Sequence, residues 1–168
     1  MMRAMARPFS TSGRFDVPAR ALFELYGETR FQEEKALAMG ALSARATRSE
    51  LPSGTVQMVL EMTRPRHGGG GGEEQAVMTM DLDPQTFGSQ WKQVVKGQES
   101  RARVEGTSSV QALDEHRCEL RVDGTIEIKV PLLGRMIERK IVDAIERDAH
   151  KETSFIEAAL RERGLVEA

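Results

Sequence analysis

With a single cysteine, Cys118, the chain cannot close an intrachain disulfide, so it holds together by burial alone and suits a reducing compartment. It has no apolar run of about 18 residues, which excludes a membrane-spanning helix. An excess of one charge is missing too: 24 basic side chains stand against 26 acidic ones, net −2, with the signs mixed along the chain. Read linearly, that mixture forms no footprint for nucleic acid or for an anionic membrane. The start, Met1 to Arg7, is basic but lacks the apolar segment of a secretory signal, so a cytoplasmic protein is expected. Met2 and Met5 are alternative initiators, and a short Arg-bearing transit peptide is the other reading. No internal repeat is present.

What remains is one core's worth of material. At 168 residues and 39% apolar content the chain fits a single domain, expected over 8–164 after a loosely ordered 1–7. Its organising stretch lies near the C-terminus. Cys118, Leu120, Val122, Ile126, Ile128 and Val130 alternate with Glu119, Arg121, Asp123, Thr125, Glu127 and Lys129, which predicts a long antiparallel strand with one dry face. Gly124 interrupts that face and predicts a bend or bulge. Val130-Pro131-Leu132-Leu133-Gly134 then leads into a helix from Arg135 to about Arg163, with Pro131 suited to its first turn. An apolar stripe runs through Leu133, Met136, Ile137, Ile141, Ala144, Ile145, Ala149, Phe155, Ile156, Ala159 and Leu160, with Glu152 interrupting it. Arg135, Glu138, Arg139, Asp143, Arg147 and Lys151 are expected on the wet side.

The pattern Val-x-Gly-x-Ile-x-Ile-x-Val-Pro-Leu-Leu-Gly at Val122–Gly134, followed by Ile137-Glu138, resembles a bacterial group of domains of unknown function in the START-like (SRPBCC) superfamily. The likeness extends in outline over residues 8–160, with specific matches confined to Gly106–Arg139. It implies an α+β helix-grip fold: a seven-stranded antiparallel curved sheet wrapped around a long C-terminal helix, two short helices between strands one and two, and an apolar cavity inside. It implies no reaction, since lipid carriers, receptors, cyclases and oxygenase subunits share that plan.

The rest of the chain follows the order β-α-α-β-β-β-β-β-β-α. Phe9 to Val17 alternates as a first strand, and Pro18 opens a helix that Gly27 ends. Thr29-Arg30-Phe31-Gln32 reads as a capping box for a second helix that stops at Gly40. Strands are expected at Ser43–Leu51, Thr55–Arg64, Gln75–Leu82 and Ser100–Leu113; Phe87–Gln98, with Trp91, Val94 and Val95, reads as a strand or as a short helix followed by a strand. The glycine run after His67 reads as a hairpin tip. Two glutamates follow it where a phosphate-binding loop needs Lys and Ser or Thr.

Chemistry-bearing residues are few. His67, His116 and His150 share no ligand spacing, so no metal or other cofactor is expected. Cys118 lies on a dry face, where a thiol acts as a small hydrophobe. Glu152 either lies at the margin of its helix stripe or points into a cavity, where it orients a polar ligand head or has a raised pKa. The expected role is non-catalytic binding of a hydrophobic small molecule, such as a lipid, isoprenoid or polyketide-like compound, by a carrier or sensor. Its pocket would be lined by Met58, Leu60, Met62, Met78, Met80, Val104, Ser108, Leu120, Val122, Ile126, Ile137, Ile141, Ala144 and Ile145, with Glu152. A cyclase or dehydratase using Glu152 is the enzymatic alternative, for which only Ser108, Thr79 and Tyr26 offer further polar groups. An interaction module with a filled core is the third reading.

Overall fold

The computed structural model describes residues 6–66 and 71–166, so His67 and most of the glycine tip lie outside the described residues. Period-two alternation becomes seven strands: β1 (Arg7–Phe15), β2 (Ser43–Glu50), β3 (Val56–Pro65), β4 (Glu73–Asp83), β5 (Gly88–Val95), β6 (Ala102–Ala112) and β7 (Cys118–Ile128). They form one antiparallel sheet in the order β1-β7-β6-β5-β4-β3-β2. Three helices cover its concave face: α1 (Ala19–Tyr26), α2 (Thr29–Ala38) and the long α3 (Gly134–Glu162). The element order is the expected one, and the segment around Trp91 is a strand.

The helices divide the sheet between them. α3 rests on β1 and β7, α2 on β2 and β3, and α1 on β6 and β7. At the end nearest α1, Phe15, Val17, Leu22, Leu25, Phe31, Leu120, Ile156 and Leu160 form the larger core cluster. A smaller one, Phe9, Ile126 and Val142, lies beneath the first half of α3. Cys118 is fully buried, and burial pushes its thiol up to about 11. We therefore expect no reaction with a thiol reagent at pH about 8 in the native state and full reaction in urea; rapid native labelling would contradict the packing.

Four local expectations are corrected. Gly124 makes no bulge: β7 pairs without a break, Gly124 facing Phe9 on β1 and Gly106 on β6. Its role is clearance, since a Cβ there would sit 2.5 Å from Phe9 Cζ. The capping box does not form either. Thr29 is already helical, the residue before it makes no side-chain cap, and the buried Gln32 amide donates to the Tyr26 carbonyl oxygen at 2.8 Å. Pro131 precedes α3 in a turn rather than starting it.

The fourth concerns the helix stripe. Glu138, expected in water, is 6% exposed, whereas Met136 and Leu133, expected inside, are each 49% exposed. Gly134 decides this rotation: it lies so close to the Ile128 carbonyl oxygen that a Cβ would collide with it. The first turns of α3 then bury positions 134, 138 and 142, and the Glu138 carboxylate accepts the Ile128 N–H at 2.9 Å. An unpaired strand-end donor is satisfied by a carboxylate that pattern alone assigns to water.

Candidate ligand-binding site

Strand alternation settles which side chains face the helices. Register places Met58 opposite Met80, Leu60 opposite Met78 and Met62 opposite Ala76, all on the concave face. Across β5 to β7 that face continues through Trp91 and Gly106, Gln93 and Val104, Ser108 and Val122, Val110 and Leu120, and Val104 and Ile126. Thr79 falls on the opposite, convex face, so it supplies nothing to an interior site.

Burial divides the expected lining in two. Met58, Leu60, Met80, Leu120 and Ile126 are sealed into the core. Met62, Met78, Val104, Ser108, Val122, Ile137, Ile141, Ala144, Ile145 and Glu152 keep part of their surface accessible. The accessible set lies where helix cover is thinnest, over the middle strands and along α3. Trp91, which the sequence reading did not place in the site, joins it by packing with Val104, Ile141 and Ile145 against the Phe9 cluster.

Glu152 on α3 is the centre of one polar cluster. Lys35 Nζ donates to Glu152 Oε1 at 3.0 Å, and Tyr26 Oη donates to the same oxygen at 3.4 Å. Lys35 also sits 5.0 Å above the Tyr26 ring, which packs on Phe31. The Lys35 ammonium holds the Glu152 carboxyl below its usual range, against the opposing effect of burial. Burial pulls the Lys35 ammonium down, but Glu152 and Tyr26 outweigh it and leave the group above its ordinary value. Burial, reinforced by Glu152, raises the Tyr26 phenol. At neutral pH the trio is therefore carboxylate, ammonium and neutral phenol. The expectation of a raised Glu152 pKa is corrected, because its nearest neighbour is a cation; an ionised carboxylate suits a hydrogen-bond acceptor and not a general acid.

Beside this trio a void of about 20 Å³ is lined by Glu152 with Thr11, Gly13, Val122, Ala149 and Thr153, among others. That is room for about one water. A larger depression of about 240 Å³ lies over β2, β3 and β4 among Ser43, Arg45, Glu61, Thr63 and Gln75. In register these side chains point to the convex side, while Ala44, Met62 and Ala76, which also line the depression, point inward.

Two polar features escaped the sequence reading. Lys35 is one; its spacing of four from the buried Phe31 was the available signal, since i and i+4 share a helix face. The other is a cluster on the concave face. Arg64 Nε and Nη2 donate to Glu74 Oε2 at 3.1 and 3.0 Å, and Gln93 turns its amide oxygen toward the same guanidinium. No linear pattern signals it, because it joins three strands. Among the described residues no group of His, Cys, Asp and Glu is arranged to hold a metal, and His150 is exposed.

Residues 73–160, just over half of the chain, match the family described as Protein of unknown function (DUF2505). The chain belongs to this family. No curated protein matches the sequence. Among solved structures, TTHA0849 from Thermus thermophilus is similar over 93% of this chain and 98% of its own, with a TM-score of 0.69 at 11% identity. The Zhui aromatase/cyclase from Streptomyces sp. R1128 is similar over 95% and 96%, with a TM-score of 0.69 at 13% identity. Norcoclaurine synthase from Thalictrum flavum, in complex with dopamine and hydroxybenzaldehyde, is similar over 94% and 88%, with a TM-score of 0.64 at 11% identity. At such identities the likeness is one of fold, and the DUF2505 chain has the START-like helix-grip fold. No helix among its described residues is long and apolar enough to cross a membrane.

Proposed function

We propose that this DUF2505 protein binds a hydrophobic small molecule between its sheet and α3, as a carrier or sensor without catalysis. The observation that carries this reading is the partial accessibility of inward-facing Met78, Trp91, Val104, Val122, Ile141 and Ile145 over a floor that is itself sealed. Apolar side chains on a concave face gain about 25 cal/mol for each Å² a ligand covers. The existing void is too small for such a ligand. Met62 and Met78, unbranched and partly free, are the side chains best able to repack around one. Glu152 favours a ligand whose polar end donates a hydrogen bond, such as a hydroxyl, because its Oε1 is already taken by two donors and it stays ionised. That similar folds occur in an aromatase/cyclase and in an enzyme solved with two small aromatic molecules supports the reading of the concave face as a place for organic ligands.

The test is native mass spectrometry of protein purified without detergent, followed by organic extraction. A bound mass that leaves on denaturation is expected. Val122→Trp and Ala144→Trp, at partly accessible positions, are expected to fold and to emerge without it. Equal ligand uptake by both variants would overturn this location.

A further inference from the structure

We infer that the corner between β7 and α3 docks onto anionic phospholipid surfaces. Leu132 is 102% exposed and adopts φ +67°, a left-handed conformation that non-glycine residues rarely take. Leu133 and Met136 stand beside it, each 49% exposed. The corner is anchored on both sides. Lys129 N–H donates to the Arg101 carbonyl oxygen at 2.7 Å, Gly134 N–H to the Val130 carbonyl oxygen at 2.8 Å, and Glu138 holds Ile128 from the second turn of α3. An anchored, strained turn that keeps three large apolar side chains in water points to a surface they meet.

The charge around the corner identifies that surface. Between residues 129 and 143 the exposed ionisable groups are the cations Lys129, Arg135, Arg139 and Lys140 and one acid, Asp143; Glu138 is buried. Antiparallel pairing brings Lys96 and Arg101, at the β5–β6 turn, to the same end of the sheet. The acids there are Glu73, Glu74, which pairs with Arg64 at 3.0 Å, Glu99, whose carboxylate accepts the Gly97 N–H, and Glu127, which pairs with Lys129 at 3.5 Å. Arg135, Arg139 and Lys140 form no ion pair among the described residues, on a chain whose net charge is −2. An apolar tip ringed by cations matches an anionic bilayer, with leucines entering the interface and cations meeting phosphates. A second copy of the chain would bring like charges face to face. Nucleic acid offers phosphate but nothing for the leucines. The inference holds whether or not the grip carries a ligand.

The experiment is flotation of the full chain with vesicles of phosphatidylcholine, with and without phosphatidylglycerol. Binding is expected only with the anionic lipid and is expected to fall as salt rises. Leu132→Ser with Leu133→Ser should weaken it about tenfold or more. Arg139→Glu with Lys140→Glu should abolish it, since each cation near a charged bilayer contributes about fivefold. All four positions are exposed, so circular dichroism should match the parent. The inference is overturned by no binding to anionic vesicles at low salt, or by equal binding of the double serine variant. A lipid-free dimer that this variant abolishes would overturn it too.

Discussion

Gly106→Val should destabilise the protein by about 3 kcal/mol, a large fraction of the total stability of a domain this size. Gly106 and Gly124 are paired across β6 and β7. A Cβ at Gly106 would collide with the Asp123 carbonyl oxygen and lie 2.6 Å from Gly124 Cα and 2.9 Å from Trp91 Cζ2. Only the last of these can move, being the edge of a ring; the others are backbone of the neighbouring strand. The gap left by the two glycines is covered by Phe9 and Trp91, with ring centroids 6.2 Å apart. Glycine at this pair therefore lets the Phe9 and Trp91 rings approach the backbone of β6 and β7 closely. The urea midpoint measures the loss, and Trp91, the sole tryptophan, reports the local change by fluorescence. Thr107→Ala, next door but exposed, is the control and should shift stability by no more than about 0.5 kcal/mol. A parental midpoint for Gly106→Val would mean that the strands do not approach this closely.

The second large effect is expected for Lys35→Met, a loss of about 1–2 kcal/mol near neutral pH once the partial exposure of the pair is allowed for. Lys35 and Glu152 retain 21% and 33% of their side-chain exposure, so the pair is neither a surface bridge nor a sealed one. Removing the ammonium leaves the carboxylate with Tyr26 as its remaining donor. Glu152 is held below its unfolded value, so its contribution is complete above about pH 5 and is lost as pH falls through the lower folded value. Lys35 is held above its unfolded value, so its contribution is present below about pH 10 and is lost only as pH rises through the higher folded value. The difference between parent and Lys35→Met should therefore be flat from about pH 5 to pH 10 and shrink below about pH 4. In a double-mutant cycle with Glu152→Gln the second substitution should cost little once the first is made. A difference that persists unchanged in acid would show that Lys35 acts through packing alone.

The two effects show what can be read at each level. Strand alternation in the segment from Cys118 to Ile128 needed only the order of residues, because a pleated strand sends neighbours to opposite faces whatever surrounds it. The same holds for the two short helices, the long helix and its stop near Gly164, which together with the Val122–Gly134 pattern lead to the helix-grip plan. The facing of the candidate lining was legible in that sense: the methionines of β3 and β4 do face the helices. How far each is covered was not, because cover depends on where α3 lies, and Met58 is sealed while Met78 is not.

Sequence by itself determined the elements, their order and which side of each strand is dry, since these follow from periods of two and 3.6 that every residue carries locally. Tertiary structure alone decided the rest. Gly134 against Ile128 rotated the start of α3 and turned Glu138 inward, Lys35 met Glu152 across 117 residues, and cations scattered along the chain gathered at one end of the sheet. The reason is common to all three: a close contact or a field depends on separation in space, and only the register of the folded sheet converts distance along the chain into distance in ångströms.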